Sequence, residues 1–153
     1  MTDRIPIKEE LLKFCWNHIN ERAERFRKRS VTLQESLNSE SKSSAGDKHE
    51  TGRAMVQLEQ EKLGKQLLEL EKTKMVLQKV DVAKQGEKIR LGSLVKTSSA
   101  YYFIAISAGV FKAGNTSIFC ISANSPVARL LLGKEEGNSY TFNGKQERTL
   151  EIA

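Results

Sequence analysis

Two carboxylates stand three positions apart in a short polar segment that separates two long helical patterns. The segment is Ser39–Glu50, and the pair is Asp47 and Glu50. Carboxylate oxygens suit Mg²⁺, which keeps most of its waters and needs only one or two protein ligands. Side chains at positions i and i+3 lie on one face of a helix and can reach a common ion. The pair therefore predicts magnesium-dependent chemistry in this segment.

The same spacing also has a purely structural interpretation. Asp47 at the start of a helix would accept a hydrogen bond from the amide three residues on, and Glu50 would reach back to the capping amide. Such a cap contributes about 0.5–2 kcal/mol and requires no partner. Because a cap uses only part of a carboxylate's acceptor capacity, Asp47 could serve both purposes. The spacing alone leaves the two interpretations open.

The elements on either side of this segment carry a heptad-like hydrophobic period. The first runs from Lys8 to Asn38 and contains neither Gly nor Pro. The second runs from Asp47 to about Ala83. The predicted seam of the first helix, the side that faces its partner, is Leu12, Trp16, Ile19, Ala23, Phe26, Ser30, Leu33 and Leu37. That of the second is Val56, Leu63, Leu67, Leu70 and Leu77, with Gln60 and Lys74 at the remaining heptad positions.

Two helices of similar length joined by a short polar turn predict an antiparallel coiled-coil hairpin. We assign it to residues 1–84, with the turn at about 39–50. A parallel homodimer through the first helix alone is the competing interpretation. The matched lengths and the abrupt Ser-rich and Gly-containing turn favour the hairpin.

Residues 85–153 change to the composition of strands and turns, which predicts a small α+β domain. Asn143-Gly144 is a strong signal for a hairpin loop. Ser125 and Pro126 are placed to start a short helix, Val127–Leu132, that Gly133 ends. The predicted sheet is mostly antiparallel, with strands at Ile89–Thr97, Tyr101–Ser107, Thr116–Ser122, Ser139–Phe142 and Lys145–Ile152.

The formal net charge is +6, and part of it is concentrated in one segment of the first helix. Residues 22–29 hold five basic side chains against one acid, and such a cluster attracts phosphate or an acidic protein face. A solvated helix face is the alternative interpretation.

Cys15 and Cys120 fall within apolar patterns and predict buried thiols in a reducing compartment. No stretch approaches the ~18 consecutive apolar residues of a membrane span.

Two segments also match known motifs. Gly46-Asp47-Lys48-His49-Glu50 resembles Gly-Asp-x-x-Glu-Asn, and residues 125–138 resemble Ser-Pro-x-x-x-x-Leu-Leu-Gly-Lys-x-x-Gly-Asp. Both motifs are those of the GreA/GreB family of bacterial transcript-cleavage factors. With the order of the elements, the resemblance covers nearly the whole chain. It implies an N-terminal coiled-coil finger followed by an FKBP-like C-terminal domain, for which we expect no prolyl isomerase activity.

The resemblance also implies a function. The finger would enter the secondary channel of a backtracked RNA polymerase, where Asp47 and Glu50 would hold a Mg²⁺ jointly with the enzyme. The polymerase's own site would then cleave the nascent RNA, so the chain would be an accessory factor and not an enzyme. A cytoplasmic location and no membrane partner are expected. Contacts to RNA or to the channel are expected from Arg22, Arg25, Arg27, Lys28, Arg29 and Lys48, and polymerase docking from Ser125, Pro126, Arg129 and Lys134.

The residues after Glu50 differ from the family pattern. Thr51 stands where the family has Asn, and Gly52-Arg53-Ala54 replaces a small-acidic-aromatic run. A channel factor of the same shape that inhibits or modulates the polymerase without cleavage is therefore an alternative. A structural coiled-coil adaptor with no link to polymerase is the second alternative.

Overall fold

Two long helices form the first half of the chain. The computed structural model describes the backbone of residues 4–42 and 46–153 and the side chains of residues 6–39 and 52–153. Helix α1 spans Arg4–Lys42 and helix α2 spans Gly46–Gln78. Both predicted helices are therefore confirmed. They extend further into the polar segment than the sequence indicated, since α1 continues past Asn38 and α2 begins before Asp47.

Helix α2 ends at Gln78, earlier than the predicted end near Ala83. The N–H of Val80 donates to the carbonyl of Leu77 at 3.1 Å, so the last turn has already tightened to three-residue spacing. The Asp81 carboxylate then accepts from the N–H of Ala83 at 3.1 Å. An Asp side chain that bonds the nearby backbone competes with the helix, and this accounts for the earlier end.

The chain divides into two compact units. We call Ile19–Lys74 the helical unit, and we call Met1–His18 together with Met75–Ala153 the sheet unit. The start of α1 belongs to the sheet unit because it packs there. The ring of Phe14 meets the ring of Phe111 edge to face at a centroid distance of 5.3 Å.

Burial along the first part of α1 differs from the predicted register. The predicted positions Leu12 and Trp16 are only half-buried, and Ala23 and Ser30 are exposed. The fully covered positions in this part of the helix are Lys8, Leu11 and Cys15. The prediction assumed that a second helix alone covers α1. In the sheet unit a β-sheet covers it instead, and a different set of side chains points inward.

Helix α2 keeps the predicted heptad more closely. Leu63, Leu70 and Leu77 are buried at seven-residue intervals, and on α1 the predicted Ile19 and Leu33 are buried as well. Leu67 is an exception, with 40% of its surface exposed. One strip of α2 therefore carries the apolar contacts of the helix.

The second half of the chain is a six-stranded mixed sheet with one short helix, which confirms the α+β prediction. The strand order is β3-β4-β2-β1-β6-β5. Neighbouring strands are antiparallel except β2 and β4, which are parallel. The elements are β1 Leu94–Thr97, β2 Tyr101–Ala105, β3 Gly109–Ala113, β4 Thr116–Ser122, α3 Pro126–Leu131, β5 Ser139–Phe142 and β6 Lys145–Ile152.

Two details of the sheet were not predicted. Strand β3 was missed because Gly109 indicated a turn, and because this strand lies at the edge of the sheet and shows no clear alternation of burial. Strand β1 begins at Leu94, not at Ile89. The backbone of Ile89 instead donates to the carbonyl of Lys134 and accepts from the N–H of Gly133, both at 2.8 Å.

The predicted hairpin loop has the expected backbone. Asn143 and Gly144 have φ values of 54° and 76°, and Phe142 pairs with Lys145 across the loop. Positive φ at both central residues matches the twist of the two strands. The core of the sheet unit lies between the sheet and α3 and consists of Ile89, Val95, Ile104, Val127, Ala128, Leu131, Tyr140 and Ile152.

Candidate functional site

The predicted carboxylate pair lies in the first turns of α2. The backbone of Asp47 and Glu50 is helical, since α2 begins at Gly46. The side chains of these residues and of Lys48 lie outside the described residues. The magnesium assignment and the capping assignment both therefore stay predictions.

The basic cluster of residues 22–29 lies on α1, within the helical unit, and part of its charge is already paired. Arg27 donates to both carboxylate oxygens of Glu24, with Nη2 to Oε1 at 2.6 Å and Nε to Oε2 at 3.1 Å. The hydrogen bond from Arg27 lowers the pKa of Glu24, and the same contact raises the pKa of Arg27. Both side chains are exposed, so solvent and salt screen this pair.

Arg29 makes a longer-range contact, to the second helix. Its Nη2 lies 2.7 Å from Oε2 of Glu59, and this hydrogen bond lowers the pKa of Glu59. Glu59 was not predicted as a partner from the sequence. The predicted antiparallel arrangement supplied the only available signal, because it places the middle of one helix beside the middle of the other.

These contacts border a shallow groove in the helical unit. The groove has a volume of about 410 Å³ and is lined by three cationic side chains and one carboxylate. The guanidinium of Arg22 lies 5.5 Å from the ring centroid of Phe26, one of the lining residues. Lys28 is exposed on the same helix. The lining residues are Arg25, Phe26, Arg29, Glu59, Lys62 and Gln66.

The predicted docking residues occur on and next to α3. The hydroxyl of Ser125 accepts from the N–H of Ala128 at 3.4 Å and donates to the carbonyl of Ser122 at 2.7 Å. Pro126 occupies the first helical position. These two residues therefore build the start of the helix, as their types predicted.

The two cations of this motif are placed differently. Arg129 is exposed in the last turn of α3, and Lys134 is half-buried in the segment that follows. The carbonyl of Lys134 is fixed by the N–H of Ile89. The side chain of Arg129 thus has no part in the cap, whereas the backbone of Lys134 is hydrogen-bonded within the fold.

The two cysteines meet inside the sheet unit. Both are free thiols and both are buried, as the sequence predicted. The hydrogen bond between them lowers the pKa of Cys15 and raises the pKa of Cys120, and burial raises the pKa of Cys120 further. Their contact joins α1 to β4 in the interior of this unit.

Two cations with a buried nitrogen atom, Lys8 and Arg90, were not predicted from the sequence. Lys8 is fully buried, and its position three residues before Leu11 and seven before Cys15 continues the buried strip of α1. That spacing was the signal that could have found it. Lysine is rarely buried completely unless it is paired.

Among the side chains that the structure describes, no group of three His, Cys, Asp or Glu residues is arranged to hold a metal ion. Within the described ranges, neither long helix has the run of apolar residues that crossing a membrane requires.

Comparison with known proteins gives matches to solved structures alone. No family model and no curated protein matches the sequence. The crystal structure of GreA factor homolog 1 (Gfh1) of Thermus thermophilus is similar, with 23% identity over 90% of this chain and 94% of that chain and a TM-score of 0.38. Gfh1 of Thermus aquaticus is also similar, with 22% identity over 92% of this chain and 94% of that chain and a TM-score of 0.33.

Proposed function

We propose that this chain binds bacterial RNA polymerase through the secondary channel and stimulates Mg²⁺-dependent cleavage of backtracked RNA. One observation supports this above all. Asp47 and Glu50 lie three positions apart in the first turns of a 33-residue helix, within a motif that resembles the GreA/GreB tip. The helix follows another of 39 residues, as the finger of that family requires.

The donor set fits a shared magnesium ion. Two carboxylates supply hard oxygen ligands, and Mg²⁺ accepts so few protein ligands that the rest can come from the polymerase and from water. A magnesium ion held by these residues would activate the attacking oxygen or stabilise the leaving oxygen of an in-line displacement. Asp47 and Glu50 would bind the magnesium ion and orient its water. The phosphodiester bond of the RNA would be cleaved in the polymerase's own active site, so the chain would act as an accessory factor.

The basic groove of the helical unit is the proposed contact for nascent RNA or for acidic channel walls. Arg25 and Lys62 line it together with Arg29. The pair of Arg29 with Glu59 neutralises part of the charge there, so Arg25 and Lys62 carry most of the attraction to phosphate. Docking on the polymerase is assigned to Ser125, Pro126, Arg129 and Lys134, which we call the α3 motif. Arg129 is its exposed cation.

A cleavage assay on a stalled, backtracked elongation complex tests the proposal. Adding the protein with Mg²⁺ should shorten the RNA from its 3′ end. Asp47→Asn and Glu50→Gln should each abolish the stimulation, because a neutral amide is a much weaker ligand. Glu61→Gln, which changes an exposed carboxylate on the same helix, is the matched control and should cleave normally. Cleavage that persists in both tip variants would reject the assignment.

A non-cleaving channel regulator is the second candidate, and the residues after Glu50 favour it. Thr51 and Gly52-Arg53-Ala54 depart from the family pattern beside the carboxylates. A regulator of this kind would bind the polymerase and slow elongation, with no shortened RNA. A pull-down with core polymerase separates both candidates from a structural adaptor, since an adaptor would show no binding.

A further inference from the structure

A small cavity lies in the sheet unit, where the start of α1 meets one face of the sheet. Its volume is about 200 Å³. An engineered apolar cavity of about 150 Å³ holds a benzene molecule, so this cavity has room for a ligand with a single ring or a short chain. The described residues that line it are Ile7, Leu94, Lys96, Tyr101, Ala113, Thr116 and Ile118.

The strand register brings these lining residues to one face of the sheet. Tyr101 pairs with Lys96 on β1 and with Ile118 on β4, and residues paired across strands point to the same face. Leu94 shares this face because it lies two positions before Lys96 on β1. The four neighbouring strands β3, β4, β2 and β1 all contribute to the wall, and Ile7 of α1 adds another side.

The cavity has a covered floor and a rim that solvent reaches. Leu94 and Ile118 are 5% and 2% exposed, so they form the floor. The side chains of Lys96, Tyr101 and Thr116 are half-buried and form part of the rim. A ligand can therefore enter from solvent, place apolar atoms against the floor and leave a polar group at the rim.

Lys96 gives the rim a positive charge. Its Nζ lies 5.7 Å from the ring centroid of Tyr101, within the range of a cation–π contact. This contact keeps the ammonium beside a ring that lines the cavity. No carboxylate occurs among the lining residues that the structure describes. Glu151 is the cross-strand partner of Lys96 on β6, so its carboxylate competes with a ligand for the ammonium.

We propose that this cavity binds a small monocarboxylate with an apolar body, of the size of benzoate. The aliphatic floor contacts the ring or chain of the ligand, and the ring of Tyr101 offers it a flat wall. The carboxylate of the ligand lies at the rim, where Lys96 donates to it and the hydroxyl of Thr116 is a second donor. Ligand sites commonly combine such an apolar lining with a charged group that fixes the orientation.

The test is a titration of the full-length protein with sodium benzoate at constant ionic strength, followed by the methyl chemical shifts in NMR spectra. The methyl groups of Ile7, Leu94 and Ile118 should shift along one saturable curve, with a Kd of about 1 mM or tighter. Those of Val127, which lies in the core beside α3, should not shift. Lining methyl groups that do not shift, or that shift without saturation, would overturn the proposal.

Neutral benzamide tests the role of the charge. It has the same ring and should bind wild type about two- to fivefold more weakly than benzoate, as expected when a partly solvated ion pair is lost. Lys96→Met should bind the two probes equally. Lys112→Met, at an exposed lysine of β3, is the matched control and should keep the wild-type preference. An undiminished preference for benzoate in Lys96→Met would overturn the proposed carboxylate contact.

A cavity-filling variant locates the ligand independently of charge. Ala113→Leu adds a bulky aliphatic group to the wall and should abolish the binding of both probes. Glu151→Gln removes the competing carboxylate and should tighten the binding of benzoate but not of benzamide. Circular dichroism checks that each variant folds. Undiminished binding of benzoate to Ala113→Leu would place the ligand elsewhere and overturn the proposal. None of these measurements involves polymerase, so the result is independent of the proposed function.

Discussion

Arg29 on α1 and Glu59 on α2 form an ion pair, with 2.7 Å between Nη2 and Oε2. It joins the two helices within the helical unit and fixes which of their turns lie side by side. Both side chains are about half exposed, at 54% and 43%, so salt screens the pair. We therefore infer that the ion pair aligns the two helices and adds little to their stability.

The pair predicts a pH dependence of the helical unit. Its hydrogen bond holds the pKa of Glu59 below the ordinary value of 4.5. A carboxyl with a lowered pKa in the folded state stabilises the protein above its ordinary pKa, and this stabilisation is lost as the pH falls through the folded value. The difference in Tm between wild type and Glu59→Gln should therefore be present at neutral pH and vanish in acid. Glu61→Gln is the control, and an identical profile in both variants would contradict the prediction.

Burial on α2 predicts a contrast between two leucines one turn apart. Leu63 is 3% exposed and Leu67 is 40% exposed. Leu63→Ala should lower the free energy of unfolding by about 2–5 kcal/mol, because it leaves a cavity in the packed strip. Leu67→Ala should lower the free energy of unfolding only slightly, because its side chain is already largely in solvent. Urea unfolding followed by circular dichroism measures both, and equal losses would show that the buried strip has been placed wrongly.

Two glycines should respond to alanine with opposite signs. Gly64 lies inside α2 with open space where an added methyl group would stand, so Gly64→Ala should raise stability by about 1 kcal/mol through the better helix propensity of Ala. Gly144 has φ of 76° in the hairpin loop, and Gly144→Ala should destabilise the sheet unit. Hydrogen exchange of each unit measures the two effects separately. A gain in stability from Gly144→Ala would contradict the positive φ assigned to this residue.

The sequence predicted the elements that carry a strong local signal. The hairpin loop at Asn143 and the capped start of α3 at Ser125 follow from turn and cap chemistry, which depends on neighbouring residues alone. Leu63, Leu70 and Leu77 follow from a regular heptad. These features need no knowledge of what packs against them.

The features that the sequence missed depend on distant parts of the chain. Lys8 and Leu11 are buried on the part of α1 that belongs to the sheet unit, and no heptad pattern contains that information. Strand β3 is defined by its pairing with β4, since its own residues alternate weakly. For the candidate site, the motif around Asp47 gave the residue types, and the pairing of Arg29 with Glu59 required the fold.

The α3 motif predicts a separation of folding from partner binding. Ser125→Ala removes the cap and should lower the free energy of unfolding of the sheet unit by about 0.5–2 kcal/mol. Arg129→Ala removes an exposed cation and should leave Tm unchanged. If the motif docks on polymerase, Arg129→Ala should still weaken binding to core polymerase several-fold in a pull-down or by interferometry. Unchanged binding would remove Arg129 from the docking surface.

Lys8 gives the last prediction, which concerns the cost of its burial. Burial and Arg90 hold its pKa below the ordinary value of 10.5. Between the folded value and 10.5 the unfolded chain binds more protons, so stability should rise with pH across that window. Below the folded value the full cost of the buried charge remains.

Lys8→Met should therefore stabilise the protein at neutral pH, by about 1 kcal/mol or more, because an apolar chain of similar volume replaces an unpaired buried ion. The gain should shrink as the pH approaches 10.5, where wild-type Lys8 loses its charge in both states. Lys13→Met should show neither effect. If Lys8→Met were less stable than wild type at neutral pH, the charge of Lys8 would already be compensated in the folded protein.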